Sequence, residues 1–276
     1  MKNILVPTDF SENCVKAANL GIKMAKLYDA EIHFLHLMTT PVDWVKLSKL
    51  KEKRYPETVK QIGIAKAKLR ALEKEAEHEG LKCRTFLQFD SGQKDIPEHS
   101  GHFRHDFIIT GSSGTKGVIR EITGSNVEEI VRKANAPVIV VKDEAVSFPF
   151  KNIVFVSDFK EDVSRAFKEV ISIANKCNAR IHLLRINTQT DFNSIELGLK
   201  PIEQLLSKFP ELKNYSMAVY NETSVETGIN TFVKQNPVDL ITMVTHGKTG
   251  FLSLFSKSIA EGVTNHSALP VMTIHI

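Results

Sequence analysis

The chain has 276 residues, 42% hydrophobic and 25% charged, with 36 Lys and Arg against 32 Asp and Glu and a formal net charge of +4. That length corresponds to about two domains of roughly 150 residues, and the composition is that of a globular protein, which excludes a disordered tail. So small a charge excess gives no reason to expect a nucleic-acid partner, no run approaches the ~18 apolar residues of a membrane span, and the opening MKNILVPTDF, broken by Pro7 and Asp9, is too short for a secretion signal.

Ile4 to Val6 is a short continuous apolar run, as expected of a strand buried on both faces. Ser11 is placed to cap a helix running to about Leu27, with Ala17, Leu20, Met24 and Leu27 on one stripe. Ile32 to Met38 reads as a second strand. Ten cations follow between Lys46 and Lys74, around an apolar stripe of Ile62, Ala65, Leu69, Leu72 and Ala76 that Gly80 terminates. A basic helix can meet an acidic partner or a membrane surface, but a solvated face is the simpler reading. Phe86 to Phe89, Phe107 to Thr110 and Val138 to Val141 are three further strands. Strands alternating with helices predict an α/β fold with a mostly parallel sheet covered on both faces. The stretch 142–150, KDEAVSFPF, contains Pro149 and predicts the boundary between domains 1–145 and 146–276.

The chain repeats itself. Lys2 to Phe10 (KNILVPTDF) reappears as Lys151 to Phe159 (KNIVFVSDF), and Ala30 to Leu35 as Ala179 to Leu184, at an offset of 149. Asp106 to Thr110 matches Asp239 to Met243, and Pro137-Val138 matches Pro270-Val271, at an offset of 133. This is a tandem duplication whose first copy carries 16 extra residues, most of them in the basic stretch that begins near Trp44. That insertion is placed to cover a ligand site, with Trp44 as a reporter.

Cys14, Cys83 and Cys177 are odd in number and far apart, with no CxxC pair. They fit a reducing cytoplasm and are expected to pack as small apolar side chains. His99, His102 and His105 stand at i, i+3, i+6 before Asp106 and could share a helix side as metal ligands. Gly101 interrupts such a helix, and a polar lead into the next strand is the simpler reading, so no metal is assigned. His33 and His182 recur at equivalent positions, which follows from the duplication.

In open parallel sheets ligands bind where loops leave the carboxyl ends of strands. Two such loops stand out: Pro7-Thr8-Asp9-Phe10-Ser11, and Gly111-Ser112-Ser113-Gly114 followed after nine residues by Gly124-Ser125. Pro7 to Cys14 contains no glycine, which excludes a dinucleotide fingerprint, and Gly247-Lys248-Thr249 lacks the earlier glycine of a P-loop because Thr242 stands there. The Gly111 loop still suits a phosphate. Glycine leaves no Cβ between backbone amides and an oxyanion, and Gly124-Ser125 precedes a helical run whose free amides attract an anion. Turn formation alone would also place glycines there. Asp9 could accept hydrogen bonds from ribose hydroxyls or the adenine amino group, or cap the first helix.

With these residues in view, the sequence resembles a tandem universal stress protein of the UspA type over nearly its whole length. The family motif G-x2-G-x9-G-[ST] fits Gly111, Gly114, Gly124 and Ser125, and ILVPTDFSE and Leu35-His36-Leu37 also match. The resemblance implies two Rossmann-like domains of the adenine nucleotide alpha hydrolase-like kind, each a five-stranded mostly parallel sheet flanked by helices. It implies ATP, AMP or ADP, with or without Mg, whose phosphates lie on Gly111, Gly114, Gly124, Ser125 and Asn126. The adenosine would lie near Pro7, Thr8, Asp9 and Leu37. Asn126 departs from the small apolar residue more usual there. It also implies that the strands Val138 to Val141 and Val271 to Ile274 pair the domains into an intramolecular pseudo-dimer, with a homodimer open.

The second copy breaks the motif. Val244 replaces the first glycine, Gly247 remains, and Lys257 replaces the third before Ser258. A β-branched Val disfavours φ > 0, and the Lys puts a long side chain in the mouth of the site. The expectation is nucleotide in the first domain alone. No Walker-B-like Asp or pyrophosphatase loop accompanies the motif, so a regulatory binding protein without catalytic residues is expected rather than an enzyme. The alternatives are a nucleotide-independent scaffold acting through protein contacts and a slow ATPase.

Overall fold

The computed structural model describes residues 2–90, 104–112, 134–142, 146–189, 194–245 and 269–276. They form two compact units, Met1–Val141 and Lys142–Ile276.

The first unit runs β1 (Asn3–Pro7), α1 (Glu12–Tyr28), β2 (Glu31–Thr39), a 3-10 turn (Trp44–Lys46), α2 (Lys49–Glu52), α3 (Pro56–His78), β3 (Cys83–Asp90), β4 (Phe107–Gly111) and β5 (Val138–Val141). Its strands lie in the order β3-β2-β1-β4-β5, every pair parallel. The second unit repeats the plan with β6 (Asn152–Val156), α4 (Ser164–Cys177), β7 (Arg180–Asn187), α5 (Ile195–Ser207), β8 (Tyr215–Asn221), α6 (Val225–Gln235), β9 (Leu240–Thr245) and β10 (Val271–His275). Its order is β8-β7-β6-β9-β10, again all parallel. The duplicated α/β, Rossmann-like architecture expected from the sequence is therefore the one observed. In each unit the strand order reverses beside the first strand, between β1 and β4 and between β6 and β9. Such a switch point opens a crevice at the carboxyl ends.

Local chemistry fixes the elements. Ser11 caps α1, its side chain accepting the Cys14 amide, and Glu12 and Lys26 complement the dipole at the two ends. Asp29 closes the helix in the left-handed region at φ 52°. Ala17, Leu20 and Met24 are buried against the sheet, and a Cβ on Gly21 would stand 2.8 Å from the Val6 side chain, so this helix lies unusually close to β1. Ile62, Ala65, Leu69 and Ala76 form the buried face of α3, which ends two residues before Gly80 at φ 79°. The second unit's core joins Val154, Val156, Leu184 and Ile186 to Ile229 and Phe232 of α6. On α4, Phe167 packs 5.2 Å from Phe155 and 5.3 Å from Phe209.

The repeated Asp106 and Asp239 do the same work in each unit. Asp106 accepts the amides of Lys2 and Asn3, and Asp239 accepts those of Lys151 and Asn152 at 2.7 and 2.8 Å. Each carboxylate ties the entry of the strand at the switch point to the entry of the neighbouring strand. Among the described residues no helix is long and apolar enough to cross a membrane.

Candidate crevice at the carboxyl ends of β1, β2 and β4

Of the residues singled out in the sequence, Pro7 ends β1, Thr8 and Asp9 follow it, Leu37 lies near the end of β2 and Gly111 ends β4. Parallel pairing brings them to one edge. Pro7 is opposite Leu35, the Thr8 amide donates to the Leu35 carbonyl at 2.8 Å, and β1 is flanked on its other side by β4. Alternation along the strands puts Pro7, Leu35 and Leu37 on the sheet face opposite α1. Gly114, Gly124, Ser125 and Asn126 lie outside the described residues, as do Gly247, Lys257 and Ser258 of the second copy and His99 and His102.

The turn after β1 is built from its own side chains. Thr8 Oγ1 accepts the Phe10 amide at 3.0 Å, and Asp9 Oδ1 accepts the Ser11 amide at 2.8 Å. These bonds hold Phe10 in the left-handed region at φ 64°. Ser11 is thus the helix cap, and Asp9 caps the turn one step earlier. The second unit repeats this with Ser157 accepting from Phe159 at 3.0 Å, Asp158 accepting from Lys160 at 3.1 Å, and Phe159 at φ 56°. Asp9 is exposed, and although partial burial opposes its charge, bonds from Ser11 and the Cys14 thiol hold the carboxyl below its ordinary value. Its remaining acceptor capacity faces solvent at the strand end, where a diol or an exocyclic amine could donate to it.

Three residues to which the sequence assigned no role in the site complete the rim. His36 of β2 is half-buried and donates from Nδ1 to the Thr8 carbonyl at 2.7 Å. Its ring lies 4.5 Å from that of Phe10, and Lys68 of α3 holds its ammonium over the Phe10 ring, 5.0 Å from the centroid. Burial keeps His36 below the usual imidazole range, Lys68 adding to this and the Thr8 bond and Asp9 opposing it. The rim therefore carries an anion at Asp9, a cation at Lys68 and a neutral ring between them near pH 7. Asn13 of α1 is the third. It is buried and donates to the Ser112 carbonyl at 2.6 Å, fastening the loop after β4 to the helix. The strict alternation along β2 would have put His36 on the α1 side; nothing in the pattern announces Lys68 or Asn13.

Gly111 is buried against α1. A Cβ there would stand 2.5 Å from the Cys14 nitrogen and 2.6 Å from the Asn13 carbonyl oxygen, so its missing side chain admits the first turn of the helix. The second copy shows the converse. Val244 occupies the position of Gly111, and α4 begins at Ser164, three residues later than the repeat offset would place it. A later helix start thus coincides with a side chain at the position of Gly111. Asp162, just ahead of the shortened helix, accepts through Oδ1 the Ser164 amide at 3.0 Å and the Lys208 ammonium at 3.0 Å. The Ser164 hydroxyl and amide, with Lys208, lower its carboxyl to about 2.

Trp44 is buried, its indole 6.1 Å from the Tyr55 ring and 6.3 Å from Phe89 of β3. The insertion is thus fastened to β3 through Phe89. Among the described residues no group of three His, Cys, Asp or Glu side chains could hold a metal ion.

The fold and the repeat have clear relatives. The universal stress protein family matches residues 1–142 and again 149–275. A universal stress protein of Methanocaldococcus jannaschii is 29% identical over 149 residues, spanning 51% of this chain and 82% of that protein. Among solved structures, a universal stress protein from Archaeoglobus fulgidus superimposes with a TM-score of 0.71 at 19% identity, covering 99% of this chain and 96% of the other. The cytoplasmic domain of a prokaryotic cation chloride cotransporter shares the fold at a TM-score of 0.57 and 12% identity, covering 99% and 94%. A fold carried by such different proteins does not by itself assign an activity. With both halves matched in sequence and the tandem fold matched in space, the chain belongs to the universal stress protein family.

Proposed function

We propose that the protein is a stress-response regulator that binds ATP, or AMP or ADP, in its first unit and not in its second. The observation that carries this reading is the convergence of Pro7, Thr8, Asp9, Leu37 and Gly111 on the switch-point crevice. The sequence after Gly111 continues with Gly114, Gly124 and Ser125 at nucleotide-motif spacing. Pro7 and Leu37 offer an apolar wall to a base, and Asp9 offers acceptors to a ribose or an amino group. The glycines and Asn126 would meet the phosphates. A magnesium ion would be held mainly by phosphate oxygens and water, since among the described residues Asp9 is the one carboxylate directly following β1, β2 or β4. In the second unit Val244 and Lys257 oppose the same ligand.

Regulated binding suits this site better than turnover. The sequence offers no Walker-B-like Asp beside the glycine loop, and a sensor needs differential affinity between two states rather than chemistry. Three cysteines free of disulfides support a reducing, cytoplasmic setting. The tandem repeat supports an intramolecular pseudo-dimer of the two units.

Calorimetric titration with ATP tests the assignment. One nucleotide per chain, lost in Gly124→Lys, is expected; two per chain, or affinity retained in that variant, overturns it. A chain that purifies without nucleotide and takes up none would instead be a scaffold acting through protein contacts. Phosphate release over hours, abolished by substitution of Ser125, would make it a slow ATPase.

A further inference from the structure

The first unit buries a pair of histidines that the crevice does not use. His33, the third residue of β2, and His105, two residues before β4, are 2% and 6% exposed. Their rings stand edge to face with centroids 4.8 Å apart, and His33 Nδ1 lies 2.7 Å from His105 Nε2. On its other side His33 Nε2 lies 3.1 Å from Glu31 Oε1, an oxygen that also accepts Arg84 Nε of β3 at 2.5 Å. The Phe86 ring of β3 packs 5.4 Å from His33, and Asp106, next to His105, is engaged by the amides of Lys2 and Asn3.

The second unit provides an internal comparison. His182 repeats His33, but its Nδ1 meets the Ser216 hydroxyl at 2.7 Å and its Nε2 lies 3.4 Å from Asn152 Oδ1. The repeat partner of His105 is Val238. A histidine pair is thus present in one copy and replaced by a histidine beside a hydroxyl and a valine in the other.

A 2.7 Å contact between two ring nitrogens accommodates one hydrogen. With both rings neutral, or with one proton added, tautomers can place that hydrogen between them. Once both rings are imidazolium, each facing nitrogen carries a hydrogen and the charges repel, so the contact cannot persist. Among the described groups, Glu31 favours the first proton by facing the far side of His33, and Arg84, paired to the same carboxylate, offsets part of that help. Burial is the largest influence on His33 and holds it below the usual imidazole range, with Arg84 adding to the effect and Glu31 opposing it.

We propose that the His33–His105 contact is a proton-operated latch of the first unit: uptake of the second proton breaks it and frees residues 104–106 ahead of β4, a step with no counterpart in the second unit, where His182 meets Ser216 and Val238 stands in place of His105. A histidine whose folded value is depressed contributes stability that is complete above its unfolded value, near 6.5, and lost as pH falls through the folded value. The latch lies at the amino ends of β2 and β4, at the opposite end of these strands from the crevice.

Hydrogen exchange of the full chain, followed by mass spectrometry between pH 7.5 and 5 and corrected for intrinsic rates, tests this. Peptides covering 104–112 are expected to open with a constant that rises about tenfold per pH unit in the acid range, with a shallower rise in peptides covering 239–245, where burial and Arg180 lower the single His182. His105→Val, which copies the second unit, is expected to remove that pH step. Wild-type protein without the step, or the variant with the step intact, overturns the proposal. Should His105→Val not fold, imidazole NMR titration of the wild type decides: two coupled titrations for His33 and His105 support the latch, and two independent ones overturn it.

Discussion

Gly111 lies against the carbonyl of Asn13, so close that a Cβ would stand 2.6 Å from that oxygen. One missing side chain thereby sets where α1 can start, and with it the position of the capped turn that carries Asp9. Gly111→Ala is expected to destabilise the first unit by about 1–3 kcal/mol, because the backbone atoms in its way cannot yield as a flexible side chain could. Urea denaturation measures it. Gly63, on the exposed side of α3, is the control, since a Cβ there would meet no atom within 4 Å. Gly63→Ala is expected to stabilise by about 0.5–1 kcal/mol through helix propensity.

Asp9 separates structure from ligand binding. Asp9→Asn keeps an oxygen for the Ser11 amide and is expected to leave stability near wild type while weakening ATP binding; Asp9→Ala loses the turn as well, at a cost of about 0.5–2 kcal/mol. Because the folded carboxyl sits below its ordinary value of 3.8, its contribution is present above that value and is lost as pH falls through the folded one. Acid titrations of both variants should therefore lose part of the wild-type pH dependence below pH ~4. Equal ATP affinity in Asp9→Asn and wild type would remove Asp9 from the ligand site.

Asp106 and Asp239 give a matched pair of stability predictions. Each accepts two backbone amides at the entry of β1 or β6, and replacing either by Ala is expected to cost about 1.5–3 kcal/mol, the range for hydrogen bonds to a charged group. The effect should fall on the unit that carries the substitution, read by exchange protection in β1 for Asp106→Ala and in β6 for Asp239→Ala.

The cysteines should be unreactive in the native protein. Burial and the Asp9 charge push Cys14 up to about 11, and burial with the charges of Glu73, Glu77 and Glu31 pushes Cys83 up to about 12. Alkylation by iodoacetamide at pH 8 is expected to run more than about 100-fold slower than in urea, since the thiolate is the reacting form. Mass spectrometry of peptides holding each cysteine checks it; native labelling of Cys14 at the unfolded rate would contradict its burial.

Much of the fold is legible in the residues. Apolar runs marked β1, β2, β4 and β5, the Ser11 cap and the Ala17/Leu20/Met24 stripe marked α1, and the repeat offsets predicted a second copy of the same plan. Those signals are local, arising from alternation, helical spacing and capping chemistry within a few residues. The edge strand β3 was less visible: Phe86 to Phe89 announced it, but it runs from Cys83 to Asp90 because its backbone pairs with β2 whatever its half-exposed side chains are. The short Trp44–Lys46 turn and α2 carried no periodic signal at all.

The site divides along the same line. The sequence marked Pro7, Thr8, Asp9 and Gly111 as strand-end residues, the family resemblance added Leu37, and the duplication showed that the second copy lacks two of the three motif glycines. Only the tertiary structure decided that Gly111 serves the packing of α1 and that Val244 coincides with a helix three residues shorter. It alone set Lys68 over Phe10 and His105 against His33. The reason is physical: propensity and periodicity act between neighbours in the chain. Contacts between residues 58, 72 and 98 positions apart are fixed only when the parallel sheet has brought β1, β2, β4 and their helices side by side.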